Sequence, residues 1–290
     1  MREPFQLKQH EELRWLELSN WMEQVPGLQA GFSTRIGGQR PATSLAFNTA
    51  LHVGDEAEQV IANRKRLAEA LPLPFHTYTC AEQVHGCSVH RVTREDAGSG
   101  RESRDSAIPN ADALITDEPG VWLASFYADC VPIYLLDPVH RVIGLAHAGW
   151  KGTTLEIARH TMEAMQKQYG SKPEEMRAAI GPAIGICCYE VDARVYEACK
   201  SLFTEAEWNR LEPVLMQQTD ESHWRANLKE CNRQIMMKAG IMATHIECTE
   251  YCTACRQDLF FSHRKEAGKA GRMMSWIAFS DEGERNASSC

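Results

Sequence analysis

The sequence predicts an α+β domain in which mixed β-sheets are flanked by helices. Apolar runs of strand length follow one another from Ala111 to Ala148, and the segments with helical periodicity lie outside that block. A regular βαβ winding would alternate the two patterns. No internal repeat, low-complexity tract or Pro/Ser-rich linker divides the 290 residues, a length that holds one large domain or two small ones at about 150 residues each.

The strand candidates are GLQAGFST (27–34), CSVHRV (87–92), ADALIT (111–116), VWLASFYADCVPIYLL (121–136, read as two strands), RVIGLAHA (141–148) and MRAAIG (176–181). A helix over 55–71 opens on an Asp-x-x-Glu capping pattern, Asp55 and Glu58, and sets Val60, Leu67 and Leu71 at helical spacing. The strongest helix carries Leu155, Ala158, Met162, Met165 and Tyr169 in steps of three and four, with Gly170 and Pro173 as its stop. Its Met stripe reads as a core-facing side. Further helices are expected at Asp192 to Phe203 and Ala226 to Ala239, the second closed by Gly240. The polar, Gly/Ser-rich stretch from Arg94 to Asn110 reads as a surface excursion.

Composition narrows the function classes. The 43% apolar and 24% charged fractions are those of an ordinary globular chain and disfavour wholesale disorder. Thirty-one Lys+Arg against 39 Asp+Glu give a net charge of −8 with no basic run, which argues against nucleic acid as a partner. The most apolar stretch, Val121 to Leu136, is interrupted by Asp129 and Pro132 and is shorter than the roughly 18 to 20 residues of a membrane helix. The opening MREPFQLKQHEELRWLE has no secretory apolar segment, so the expected address is cytoplasmic. Eleven cysteines, an odd count at low density, then read as free thiols, a minority of them doing metal or nucleophile chemistry. Asn286-Ala287-Ser288 fits a glycosylation sequon only by chance in that setting.

The segment RVIGLAHAGWKGTTLEIARH runs from a strand through a glycine turn into the best helix, which aims backbone N–H groups and the positive helix end at a ligand. His147 stands at the strand exit. Cys130 follows Asp129 and precedes Pro132, and His85 sits in Gln83-Val84-His85-Gly86 at the start of another strand. Two His and one Cys from separate segments can give zinc three ligands and leave the fourth position open. On spacing alone, a buried Cys and hydrogen-bonded His remain the alternative. Asp129 is a general acid or base for such a site only if Pro132 bends the strand, because neighbours on a regular strand face opposite ways.

Other cysteines and arginines carry weaker signals. Cys248, Cys252 and Cys255 have the spacing of a radical-SAM cluster motif, but only 35 residues follow Cys255. Cys252-x-x-Cys255 has the spacing of a redox pair or half a zinc ribbon, but no second Cys-x-x-Cys completes four thiolates, and ordinary structural thiols are expected. The adjacent Cys187 and Cys188 look ill-suited to hold one ion and are expected to pack, lining a pocket floor at most. Arg35, beside Gly37-Gly38, and Arg264, after Phe260-Phe261, are anion-holder candidates or plain surface arginines.

The chain resembles the YfiH-like family, also named laccase-domain or multicopper polyphenol oxidase proteins, over nearly all of 27 to 280. The likeness rests on GFSTRIGG (31–38), FNTALHVGD (47–55), NRKRLAEAL (63–71), QVHG (83–86), ADALIT and PGV (111–121), ADCVPI (128–133), GLAHAGWKG (144–152), AAIGPAIGICCYEV (178–191) and CRQDLFFSHR (255–264). It implies a YfiH-like single domain over 27–280 between an N-terminal extension (1–26) and a polar tail (281–290). It also implies metal ligation by His85, Cys130 and His147, and substrate contacts from Arg35, Asn48, Lys151 and Arg264. Members commonly read HAGWRG where this chain has HAGWKG, so Lys151 keeps the charge without the planar fork.

The family name suggests copper oxidation of phenols, yet no two of the 11 His form the His-x-His pairs of a multicopper site, so copper is expected to be secondary to zinc. The resemblance further implies purine nucleoside chemistry: phosphorolysis of adenosine, inosine and S-methyl-5′-thioadenosine, and deamination of adenosine. An open zinc position that activates water suits attack at purine C6, and phosphate held by Arg35, Lys151 or Arg264 suits attack at the ribose anomeric carbon. Partners are then purine nucleosides and phosphate, with no membrane, in a monomer or homodimer. Two other classes stand beside this one. A Cys130 nucleophile with a His base would suit amidase-type editing of peptidoglycan precursors, and a nonenzymatic binding module would turn over none of these substrates.

Overall fold

The computed structural model describes residues 3–38, 45–71 and 73–281. Among them, two six-stranded mixed sheets carry the architecture. The first runs Gln6–His10, Leu13–Glu17, Leu28–Ser33, Met273–Phe279, Trp122–Tyr127 and Tyr78–Cys80, antiparallel except for its last pair. The second runs Ile246–Cys248, Arg177–Ile180, Val131–Asp137, Val142–Ala148, Ala113–Thr116 and Val89–Arg91, with both outer pairs parallel and the centre antiparallel. A small antiparallel sheet joins Glu190–Asp192, His223–Ala226 and Met216–Gln218.

Strand periodicity explains how these layers stack. Along Trp122–Tyr127, Leu123 and Tyr127 enter the core shared with Tyr134, Leu136, Ile143 and Leu145 of the second sheet, whereas Trp122, Ala124 and Phe126 pack with Leu67 and Ala68 of the helix Ala57–Ala70. In the second sheet, Ile133 and Leu135 turn the other way, onto Ile157, Met162 and Met165 of the helix Ile157–Tyr169 and Ile235 of Leu228–Lys238. The order is helix, sheet, sheet, helices. With both faces covered, the central strands are buried at every position, which is why they read as continuous apolar runs. Gly144 lets the long helix lie close, since a Cβ there would sit 3.3 Å from both Met165 Sδ and Thr161 Cγ2.

The α+β expectation holds, and each strand candidate forms a strand within its stretch. Two helix details differ. The helix near 55 begins at Ala57 without a side-chain cap, because Asp55 accepts hydrogen bonds from Asn48 Nδ2 and the Glu56 N–H. Leu155 is not on the helical stripe: a short helix Trp150–Thr154 ends there, Glu156 takes φ +55°, and Leu155 is exposed. Unanticipated elements include the hairpin Gln6–Glu17 within the expected extension, the strand Met273–Phe279, and the helix Glu205–Leu215, whose Thr204–Glu207 capping box is legible in the sequence. The stretch 94–110 forms two short 3₁₀ turns, and its Gly100 is buried with its carbonyl held by the buried Arg64. No helix among the described residues is long and apolar enough to cross a membrane. Residues 282–290, with most of the expected tail and the sequon, lie outside the described residues.

The break at Glu156 separates two apolar residues of similar size. Met165→Ala should lower stability by about 2–5 kcal/mol and Leu155→Ala by under about 0.5 kcal/mol in urea unfolding. Equal losses would place Leu155 in the core and contradict the helix break.

Candidate functional site

The chain leaves the first sheet at Tyr127 and enters the second at Val131, with Asp129 between them in the left-handed region at φ +82°. Cys130 therefore lies at the seam of the two sheets. The antiparallel register pairs Pro132 with His147 and Val131 with Ala148, which sets the exit of Val142–Ala148 beside it. The third side chain comes from the loop 81–86. Gln83 mimics a strand partner there, its Nε2 donating to the Phe126 carbonyl at 2.9 Å and its Oε1 accepting from the Phe126 N–H at 2.8 Å. Gln83 and His85 both adopt positive φ, +58° and +62°.

What winds that loop is Asp112. Its buried carboxylate accepts the backbone N–H groups of Val84, His85 and Gly86 at 3.2, 2.9 and 2.7 Å, and Oδ1 also faces His147 Nδ1 at 3.0 Å. One carboxylate thus shapes the His85 loop and orients the His147 ring, leaving His147 Nε2 for the site. Two imidazoles and one thiol result, His85, Cys130 and His147, whose ligand atoms lie within 4.8 Å of one another. The His rings meet edge-on with centroids 4.8 Å apart. Gly149 closes the space: a Cβ there would stand 3.1 Å from both Cys130 Sγ and His85 Cδ2.

The electrostatics favour charge separation. Burial alone would raise the Cys130 thiol, but the His147 charge and hydrogen bonds from His147 and His85 bring it down to about 6. Burial would lower His147, and it is instead raised to about 9 by the Cys130 thiolate and the Asp112 hydrogen bond. Asp112 is held below its ordinary value despite burial, through His147 and the Gly86 and His85 N–H groups. The donor set suits a tetrahedral, borderline-soft ion with one position free, and the exposed His85 marks its solvent side.

The remaining sequence-selected residues are placed differently. Asp129 is adjacent, but Oδ1 accepts from Thr253 Oγ1 at 2.6 Å and Oδ2 from Ser262 Oγ at 3.0 Å and the Arg264 N–H at 2.7 Å. Asn48 is fully buried and holds Ala50, Asp55 and the Arg272 N–H. Arg35 pairs with Glu266 at 3.2 Å and lies over the Phe261 ring. Arg264 lies over Tyr189 and donates to the Glu190 carbonyl at 2.8 Å. Lys151 is exposed on the helix Trp150–Thr154. Sequence reasoning missed Asp112, whose only signal was the Ala-Asp-Ala opening of a strand otherwise apolar. It also missed Arg272, a partly buried cation whose charge interacts with those of Cys130 and Asp129.

A second group corrects the expectation for the other cysteines. Cys187, Cys188, Cys252 and Cys255 bring four sulfurs within 4.8 Å of one another. The adjacency of Cys187 and Cys188 is no obstacle, because a turn closed by the Cys188 N–H on the Gly185 carbonyl at 2.9 Å aims both thiols at Cys255. Cys248 is outside the group, with its thiol 3.7 Å from the Thr249 carbonyl.

Residues 29–280 match the family model described as multi-copper polyphenol oxidoreductase laccase. The chain belongs to that family. Among curated relatives, purine nucleoside phosphorylase YlmD of Geobacillus stearothermophilus is 41% identical over 88% of this chain and 92% of its own length. The YlmD phosphorylase of Bacillus subtilis is 39% identical over 87% and 88%. A protein named adenosine deaminase RL5, from an unknown prokaryotic organism, is 30% identical over 90% and 98%. The crystal structure of G. stearothermophilus YlmD superposes with a TM-score of 0.89 at 39% identity, covering 96% of this chain and all of that one. Bacillus licheniformis YfiH gives 0.87 at 41%, covering 96% and 99%. The mixed-sheet fold of this laccase-like family is thereby shared with solved members.

Two outcomes check the geometry. If the group holds a metal, Asp112→Asn should weaken its binding about 10- to 100-fold in competition with a chelator, since it loosens both His85 and His147; unchanged affinity would remove Asp112 from that role. In metal-free protein, alkylation of Cys130 by iodoacetamide should be half-maximal near pH 6, falling at lower pH as the thiolate is protonated. Half-maximal labelling at the ordinary thiol value of 9.0 would contradict the His147 pairing.

Proposed function

We propose that this chain is a zinc-dependent purine nucleoside enzyme that phosphorolyses adenosine, inosine and S-methyl-5′-thioadenosine and deaminates adenosine. The observation that carries the proposal is the convergence of His85, Cys130 and His147 on one point with Asp112 behind them, in a chain 41% identical to a named purine nucleoside phosphorylase. The residues fit zinc, since two imidazole nitrogens and a low-pKa thiol form a three-ligand set that leaves a position open. When bound, the ion supplies Lewis acidity and lowers the pKa of a water at that position toward about 7.

The chain's own groups do the rest. Asp112 keeps the proton on His147 Nδ1 and so commits Nε2 to the ion. The exposed side of His85 admits the nucleoside, and the exposed ammonium of Lys151 offers an anchor for phosphate at the start of a short helix. Arg272 adds positive potential toward Cys130, which favours an anionic co-substrate. Arg35 and Arg264, each already engaged, serve phosphate only by exchanging a partner. Asp129 acts by position, holding the Cys130 turn through Thr253, Ser262 and Arg264. A reducing, cytoplasmic setting belongs to the same proposal because the site needs a free thiolate.

One observation favours thiol chemistry instead. A Cys130 thiolate beside a His147 imidazolium is the pair that thiol hydrolases use, and it would serve amide bonds of peptidoglycan precursors. Metal content separates the two, because a thiolate holding zinc is not free to attack. Copper oxidase chemistry draws less support, since among the described residues the groups with ligand spacing are the His-Cys-His set and the four cysteines.

Chromatography of adenosine and inosine incubations, with and without phosphate, is the test. The expected products are adenine and hypoxanthine only with phosphate, inosine from adenosine without it, and none from Cys130→Ala. A fully active Cys130→Ala protein would overturn the assignment.

A further inference from the structure

The four-cysteine group sits on the two loops that hold the Asp129 turn and takes no part in the chemistry above. Cys187 and Cys188 come from the turn after Arg177–Ile180, and Cys252 and Cys255 from the turn after Ile246–Cys248. The two loops are already paired: Ala183 and Cys252 form an isolated parallel bridge, and the Thr253 N–H donates to the Ala183 carbonyl at 3.1 Å. Cys187 Sγ and Cys188 Sγ stand 3.5 and 3.4 Å from Cys255 Sγ, beyond bonding distance for a disulfide. Four thiolates around one zinc at about 2.3 Å have sulfurs about 3.8 Å apart, close to the spacing here.

One sulfur of the group already has an anion-stabilising donor, whereas burial and the neighbouring thiols push the Cys187 and Cys188 thiols up when no cation is present. The Gly185 N–H donates to Cys252 Sγ at 3.1 Å. A side chain there would crowd the group, because a Cβ would lie 3.2 Å from Cys187 Sγ and 3.4 Å from Cys252 Sγ. The buried Lys229 ammonium caps the carbonyls of Thr249 and Tyr251 and steadies the loop that presents Cys252. The group closes on a single ion, since sulfurs all within 4.8 Å of one another leave no room for a cluster of several irons.

We propose that Cys187, Cys188, Cys252 and Cys255 form a second metal site, a closed four-thiolate zinc centre that is separate from His85, Cys130 and His147. Binding releases the thiol protons to solvent and forms four Zn–S bonds, with no redox change. Its task is positional. The Ile184 N–H donates to the Asp129 carbonyl at 3.0 Å and Thr253 Oγ1 to Asp129 Oδ1, so the clamp holds both loops that fix the Cys130 turn.

The full-length Cys130→Ala protein, purified under reducing conditions, isolates this centre by removing the sulfur ligand of the other. Elemental analysis should find one zinc per chain, and X-ray absorption at the zinc edge should show four sulfurs at about 2.3 Å. Adding Cys187→Ser and Cys255→Ser should abolish that zinc; if this triple variant does not fold, the absorption spectrum of Cys130→Ala decides alone. No stoichiometric zinc, a nitrogen-containing shell, iron in its place, or a Cys187–Cys255 or Cys188–Cys255 disulfide by mass spectrometry would each overturn the proposal. The result is independent of nucleoside turnover.

Discussion

The Asp112 carboxylate is the interaction on which the site depends. It is buried between a loop and a strand end, where an uncompensated charge would cost several kcal/mol. Three backbone N–H groups and one imidazole supply the compensation, and all four belong to the segments that bear His85 and His147. Its burial is compensated only when both of those segments are in place. The positive φ values of Gln83 and His85 are tolerated for the same reason, since that winding points three successive N–H groups at one oxygen pair.

The sheets supply the other constraint. Because the chain crosses between them through a single left-handed residue, Asp129, the position of Cys130 is fixed by two packed layers at once. That turn is held from the far side by Thr253, Ser262, Arg264 and Ile184. Two acids thus face opposite ways: Asp112 holds the segments of His85 and His147, and Asp129 holds the loops beside the Cys130 turn.

Much of this was legible in the sequence, and the gaps have physical causes. Strands buried on both faces announce themselves as apolar runs between turn residues, so those from Leu28 to Ile180 were found in nearly every case. Met273–Phe279 is as apolar but carries no alternation, and periodicity alone does not separate such a run from a helix. The three candidate ligand residues were visible as chemistry, and their convergence was expected only through the family resemblance, because spacing says nothing about contacts across 62 positions from His85 to His147. Asp112 stayed hidden since a lone acid at a strand start reads as an edge residue until its partners are seen. The cysteine pairs misled because adjacency was judged on an extended chain, whereas the Gly185 turn folds both thiols to one side.

Anomalous diffraction from zinc-loaded crystals at the zinc edge tests the central claim most directly. The account predicts one ion bound by His85, Cys130 and His147, at about 2.0–2.1 Å to nitrogen and 2.3 Å to sulfur, with His147 ligating through Nε2 while Nδ1 remains on Asp112. An ion bound through His147 Nδ1, or no ion between these three residues, would contradict it.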